Sequence, residues 1–154
     1  MATANRGKVA ETQFQNALKA FDGSHHNFDW ARNYDAHSAG GKFASLTGDF
    51  VWYFDGDSGA VEVKEVAHDY RLPSKNFGAD QIARMYKRQL AGACAQVVVY
   101  HSTTKKWRLI PLDYFRARLG VPSWDLREIG EYGSAVEVLA ALLDKGRRDQ
   151  AKAA

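Results

Sequence analysis

The sequence predicts an α/β protein, a small mixed β-sheet flanked by helices. Three observations lead there. The apolar pattern changes period along the chain in the order helix, hairpin, helix, two strands, helices. The run "AQVVVYHS" is almost continuously apolar, as a strand buried on both faces must be. Finally, "GDFVWYFDGDSGAVEVKEV", residues 48–66, alternates like two strands around a tight turn.

The elements follow in chain order. In "RGKVAETQFQNALKAFDG", Ala10, Phe14, Leu18 and Phe21 form one helical stripe, with Gly23 as its stop and Glu11 beside it. Residues 24–48 are rich in Gly, Ser, His and Asn and read as irregular, apart from a short strand at Phe28 to Ala31. Strands at 49–54 and 60–66 flank a turn in "DGDSG", whose Asp-Gly and Ser-Gly pairs are hairpin chemistry. "SKNFGADQIARMYKRQLAGA" predicts a helix with Ile82, Tyr86 and Leu90 at steps of four. "AQVVVYHS" and "KKWRLIPL" make a strand pair joined through "TTKK", and "LDYFRARLG" a short helix. "SAVEVLAALLDKG" carries a Ser-x-x-Glu capping box from Ser134 to Glu137 and a stop at Gly146, after which "RRDQAKAA" should fray. One domain over 1–154 is expected, with residues 1–6 and 147–154 flexible, because 154 residues suffice for one core and no repeat or linker divides them.

Composition narrows the function classes. No apolar run approaches the roughly 18 residues of a membrane span, and "MATANRGKVAETQ" lacks a signal-peptide core, so a cytoplasmic location without membrane partners is expected. The single cysteine, Cys94, has no internal partner and sits among apolar residues as a core thiol. A net charge of +3 is compatible with a polyanionic partner and equally with an ordinary solvated surface. His25, His26, His37, His68 and His101 show no metal-ligand spacing with Cys and read as solvated or locally hydrogen-bonded. The Gly-Gly-Lys at 40–42 lacks P-loop spacing, which argues against a nucleotide cofactor.

The hairpin carries the chemistry. Glu62 and Lys64 share one face of a strand while Val61 and Val63 take the other, and Asp49 at the start of the preceding strand can approach Glu62 across the pair. Two carboxylates brought together repel, and a divalent cation relieves that repulsion; oxygen ligands with room for water suit Mg²⁺ or Mn²⁺ rather than Zn²⁺. A Glu-x-Lys triplet alone arises readily by chance, and a cross-strand ion pair on a solvated face would also account for it. Its weight comes from the Asp, the strand-turn-strand context and the upstream helix-borne Glu.

With these residues the chain resembles the PD-(D/E)xK nucleases, and among them the RecU-type Holliday junction resolvases. "GDF" followed by "EVK" is similar to the family's metal-binding Asp and Glu-x-Lys, "NRGKVAETQFQNAL" to its Asn-x-Gly and helix-borne Glu, and "NFGADQIARM" to its Phe before a helix with a Gln. "VVVYHSTTKKWRLIPL" looks like the final core strand pair, so the likeness covers roughly residues 5–21 and 48–112. It departs at Gly48, where the family name has Pro, and over residues 22–47, where RecU proteins carry a projection toward the junction. The resemblance implies a restriction-endonuclease-like core. Asp49, Glu62 and the Val63 carbonyl would hold Mg²⁺ or Mn²⁺, with Glu11 completing the acidic cluster. Lys64 would orient water or stabilise the transition state, and Gln81 would stand beside the scissile phosphate, although a solvent-facing role fits Gln81 equally. It implies a homodimer acting on branched four-way DNA, in a bacterial cell or a phage-infected host, with a compact phage-encoded version fitting the short chain. Arg71, Lys75, Arg84, Lys87 and Arg88 flank the site as candidate phosphate contacts; Lys105, Lys106 and Arg108 serve DNA or solubility.

Overall fold

The computed structural model describes residues 7–33 and 48–153, with 147–153 as backbone alone. Asn5, His37, the Gly-Gly-Lys at 40–42 and most of the segment expected to differ from RecU lie outside the described residues.

Helix α1 (Lys8–Ser24) buries Ala10, Phe14, Ala17 and Leu18, the stripe that its spacing implies, but Gly23 lies within the helix and His25 caps it. Strands β1 (Phe28–Arg32), β2 (Phe50–Phe54) and β3 (Asp57–Val66) form an antiparallel meander. The turn between β2 and β3 is tighter than "DGDSG": Phe54 pairs with Asp57, leaving only Asp55 and Gly56. Both have positive φ, 53° and 88°, the backbone a two-residue type I′ hairpin requires.

After β3 come the short strand β4 (Arg71–Pro73), a single 3₁₀ turn and helix α2 (Ala79–Leu90). This crossover brings β5 (Cys94–His101) parallel to β3, and all eight residues of β5 are buried, as a strand covered on both faces must be. Antiparallel β6 (Lys106–Pro111), helix α3 (Leu112–Arg116), the short strands β7 (Ser123–Asp125) and β8 (Glu131–Tyr132), and helix α4 (Ala135–Ala153) complete the chain. The main sheet runs β1-β2-β3-β5-β6-β8, and β4 pairs with β7 in a separate ribbon. β4, β7 and β8 have two or three residues each, too few for periodicity to show.

Two cores result. On one face Phe14 and Leu18 of α1 and Val138 and Leu142 of α4 pack on Phe50, Trp52, Val61, Val63, Val98 and Trp107. On the other, Ile82 and Met85 of α2 and Phe115 of α3 pack on Val97, Val99 and Ile110. Leu90, expected on the buried stripe of α2, is 69% exposed because the helix ends there and Met85 takes its share of the core. Cys94 is buried, as its apolar surroundings predict.

Gly146 does not stop α4, which continues to Ala153. Its bare Cα is a packing requirement: a Cβ there would lie 2.9 Å from Cζ2 of Trp52, and one on Gly59 would lie 2.5 Å from the same indole. The ring is clamped between a strand glycine and a helix glycine. Gly146→Val is therefore expected to destabilise by about 2 kcal/mol through overpacking, although valine outranks glycine in helix propensity. Thermal unfolding measures the change, and an unchanged Tm would refute the clamp.

Candidate active site

The hairpin register brings the carboxylates together. Phe50 pairs with Val61 as the last position of the β2–β3 ladder, and Asp49 stands one residue beyond it, next to Glu62, whose charge it feels. β2 ends at this point, and Asp49 keeps two backbone bonds, its N–H donating to the Val61 carbonyl at 2.9 Å and its carbonyl accepting the Asn33 N–H at 2.8 Å. Its Oδ2 then accepts the Val63 N–H at 2.7 Å. By the alternation of strand backbone, the Val63 carbonyl points to the same side, past the end of β2.

Glu62 and Lys64 turn toward α2. Lys64 Nζ lies 3.0 Å from Glu62 Oε1 and donates to Gln81 Oε1 at 3.3 Å, and the ammonium stands 5.4 Å from the centre of the Phe77 ring. Holding Oε1 toward Lys64 leaves the Gln81 amide N–H₂ as a donor at the cleft. Glu62 is only 7% exposed, which an ordinary surface ion pair would not require. Asp49, Glu62, Val63, Lys64, Gln81 and Glu11 all line one open cleft of about 580 Å³.

The two carboxylates and their burial raise the cost of charging the site. Burial, then the neighbouring Glu62 carboxylate and to a lesser degree Glu11, push the Asp49 carboxyl up to about 7; the Val63 N–H and the Lys64 ammonium oppose the rise.

Glu11 lines the cleft near the two carboxylates and is also engaged by β1. Its Oε2 is 2.8 Å from Arg32 Nη2 of β1, and Arg32 Nη1 also donates to Gln15 at 3.0 Å. Among the described residues no three His, Cys, Asp or Glu side chains are grouped to hold a metal. Asp49, Glu62 and the Val63 carbonyl would offer two carboxylates and one backbone oxygen, a set that would fit a hard cation keeping several waters, as Mg²⁺ does. Glu11 overhangs the cleft because Glu65, on the opposite face of β3 from Lys64, accepts the Ala10 N–H at 2.9 Å and ties the start of α1 to the strand.

Arg32 and Glu65 are the site residues that pattern reading misses. Nothing in "FDWAR" separates a terminal strand arginine from a solvated one, and by pattern Glu65 is one more charge beside the Glu-x-Lys triplet.

The basic residues separate into four groups. Lys75 lines the cleft, and Arg84, Lys87 and Arg88 are exposed on α2. Arg84 and Arg88, three and seven positions beyond Gln81, continue its side of the helix, and Lys87 diverges. Arg71 is engaged, donating to Ser123 at 3.0 Å and facing Asp125. Lys105 and Lys106 are exposed at the β5–β6 turn, whose Ser102 N–H and Thr103 hydroxyl bond to the carbonyls of Val66 and Ala67 on the cleft rim. Arg108 is the correction: it is 4% exposed and internal, so neither DNA contact nor solubility explains it. Its guanidinium donates to the carbonyls of Ile129 and Asp69, to His101 Nε2 at 3.1 Å and to Glu131 at 2.7 Å. His101 is likewise internal, and burial lowers its pKa, so it stays neutral; Nδ1–H donates to the His68 carbonyl while Nε2 accepts from Arg108.

Comparison with known proteins places this architecture. No protein-family model and no curated protein matches the sequence. Among solved structures, the chain is similar to the Holliday junction resolvase Hjc of the archaeal hyperthermophile Archaeoglobus fulgidus, with a TM-score of 0.58 and 19% identity over 88% of this chain and 98% of that one. It is also similar to the bacterial homing endonuclease I-Ssp6803I, with a TM-score of 0.54 and 16% identity over 97% of each chain. The mixed sheet, its helical layers and these two likenesses together make the fold α/β and restriction-endonuclease-like.

Proposed function

We propose that this chain is a metal-dependent DNA endonuclease of the PD-(D/E)xK type, and that its preferred substrate is a four-way DNA junction cut by a two-fold homodimer. The observation that carries the reading is the convergence of Asp49, Glu62 and the Val63 carbonyl side of β3 around Lys64 in one cleft. A divalent cation, Mg²⁺ or Mn²⁺, would be held by Asp49, Glu62 and the Val63 carbonyl, and would polarise a phosphoryl oxygen and favour deprotonation of water. Lys64, fixed between Glu62 and Gln81, holds its ammonium where negative charge develops on phosphorus and where an attacking water can be oriented. The Gln81 amide donates to a phosphate oxygen, and Lys75, Arg84 and Arg88 carry the strand's backbone away from the cleft without reading its sequence. Junction preference is supported by the likeness to the resolvase and by the RecU-like motifs; paired incisions in a symmetric junction call for two sites related by a two-fold axis.

The likeness to a homing endonuclease favours a second reading, cleavage of other DNA structures by the same site. Purified protein with Mg²⁺ is expected to cut a synthetic four-way junction faster than a matched duplex or flap, and to cut none of them in EDTA. Equal rates on all three substrates would defeat the junction claim and leave the nuclease. Salt-sensitive junction binding without cleavage by either wild type or Asp49→Asn would instead identify a DNA-binding module.

A further inference from the structure

The segment leaving β3 is tied down from behind. Five successive carbonyls, Val66 to Tyr70, each accept a hydrogen bond from elsewhere in the fold: from Ser102 N–H at 2.9 Å, the Thr103 hydroxyl, His101 Nδ1–H, Arg108 Nη1 at 3.0 Å and Leu126 N–H at 2.8 Å. A rim so anchored holds its shape where Val66, Ala67 and His68 line the cleft beside Glu62, Lys64, Lys75 and Gln81, and His68 is the one of the three with a polar side chain.

The His68 ring is oriented by its own backbone. Nδ1 accepts the N–H groups of Tyr70 at 3.2 Å and Arg71 at 3.1 Å, and the ring stands edge-on to Tyr70 with centroids 4.5 Å apart. Asp69 Oδ1 is also 3.1 Å from Nδ1, but a proton there would point at two N–H donors, so the two backbone bonds set Nδ1 as the acceptor. The remaining proton is on Nε2, which has no hydrogen-bond partner among the described residues, and the side chain is 47% exposed. Such an imidazole presents its Nε2–H as a donor held at a fixed place on the rim of the cleft.

We propose that His68 contacts the substrate, its Nε2–H donating a hydrogen bond to a phosphate oxygen of the DNA strand lying in the cleft. This rests on the nuclease reading above, and it adds a strand contact outside the Asp-Glu-Lys set. The buried Arg108–His101 pair then acts as a positioning unit, holding the backbone that carries the ring.

Two substitutions separate the donor from the turn. His68→Ala removes both functions of the ring. His68→Asn keeps an acceptor at the position of Nδ1, able to receive the Tyr70 and Arg71 N–H groups, but does not reach the position of Nε2. If the donor matters, both variants lose about ten- to a hundredfold in kcat/KM on the best DNA substrate, the worth of one hydrogen bond to a charged group. Their thermal unfolding in metal-free buffer measures the turn separately. Restoration of wild-type cleavage by His68→Asn would overturn the proposal, because the effect of His68→Ala would then be structural. Wild-type rates in both variants would overturn it also, while leaving the nuclease intact. Wild-type protein that cleaves no DNA would remove the nuclease reading and this contact with it.

Discussion

Asp49→Asn is expected to abolish metal-stimulated DNA cleavage, by about a thousandfold or more, and at the same time to stabilise the metal-free protein above neutral pH. The first effect follows from losing a carboxylate that the cation needs, about 4 kcal/mol of transition-state stabilisation for a thousandfold change. The second follows from the carboxyl raised from 3.8 to about 7. Between those values the native state binds more protons than the unfolded chain, so stability is greatest below about pH 4 for this group and is lost as pH rises through 7. Asparagine carries no charge and escapes that loss, while its amide oxygen can still accept the Val63 N–H. In EDTA at pH 8 the variant should exceed wild type by about 2–4 kcal/mol. Adding Mg²⁺ should raise the Tm of wild type and leave that of the variant almost unchanged. Wild type and variant that unfold alike at pH 8, with and without Mg²⁺, would mean that Asp49 neither opposes Glu62 nor binds a cation. Because the thermal readout needs no substrate, it stands apart from the question of which DNA is cut.

Arg108→Ala is expected to cost about 3 kcal/mol of stability, the largest loss among the surface-sequence candidates. A buried guanidinium that serves two carbonyls, an imidazole nitrogen and a carboxylate leaves several acceptors unpaired when it is removed. Glu131 is 42% exposed and can turn to water, which keeps the loss below that of an isolated buried charge. Chemical denaturation measures the change; a variant within 0.5 kcal/mol of wild type, roughly the scatter of ordinary surface substitutions, would show that Arg108 is a surface cation after all. Lys105→Ala and Lys106→Ala, at exposed positions, should stay within that range.

The contrast between Arg108 and its neighbours shows how legible this chain was. "KKWR" reads as one basic run, and periodicity does separate Lys106 from Trp107, but it cannot say which sheet face of β6 is covered. That is decided by Glu131, Ile129 and Asp69, which come from distant parts of the chain to enclose the guanidinium. Gly146 shows the same limit. A glycine near the end of an apolar helix is a reasonable stop signal, and only the indole of Trp52 lying against it reveals another reason for a missing side chain. The hairpin was more legible, because Asp55-Gly56 and strand alternation are local properties, and they bring the start of β2, just after Asp49, beside Val61 and Glu62.

By itself the sequence determined the order of the elements, the apolar faces of α1 and β5, and the pairing of two carboxylates with a lysine on one hairpin, since each depends on the spacing of near neighbours in the chain. The tertiary structure alone decided that Glu11 faces Arg32, that Gln81 meets Lys64, and that Arg108 and His101 are internal supports for the cleft's rim. Those outcomes depend on which distant segments share a space, and burial, charge and hydrogen-bond partners exist only once that space is enclosed.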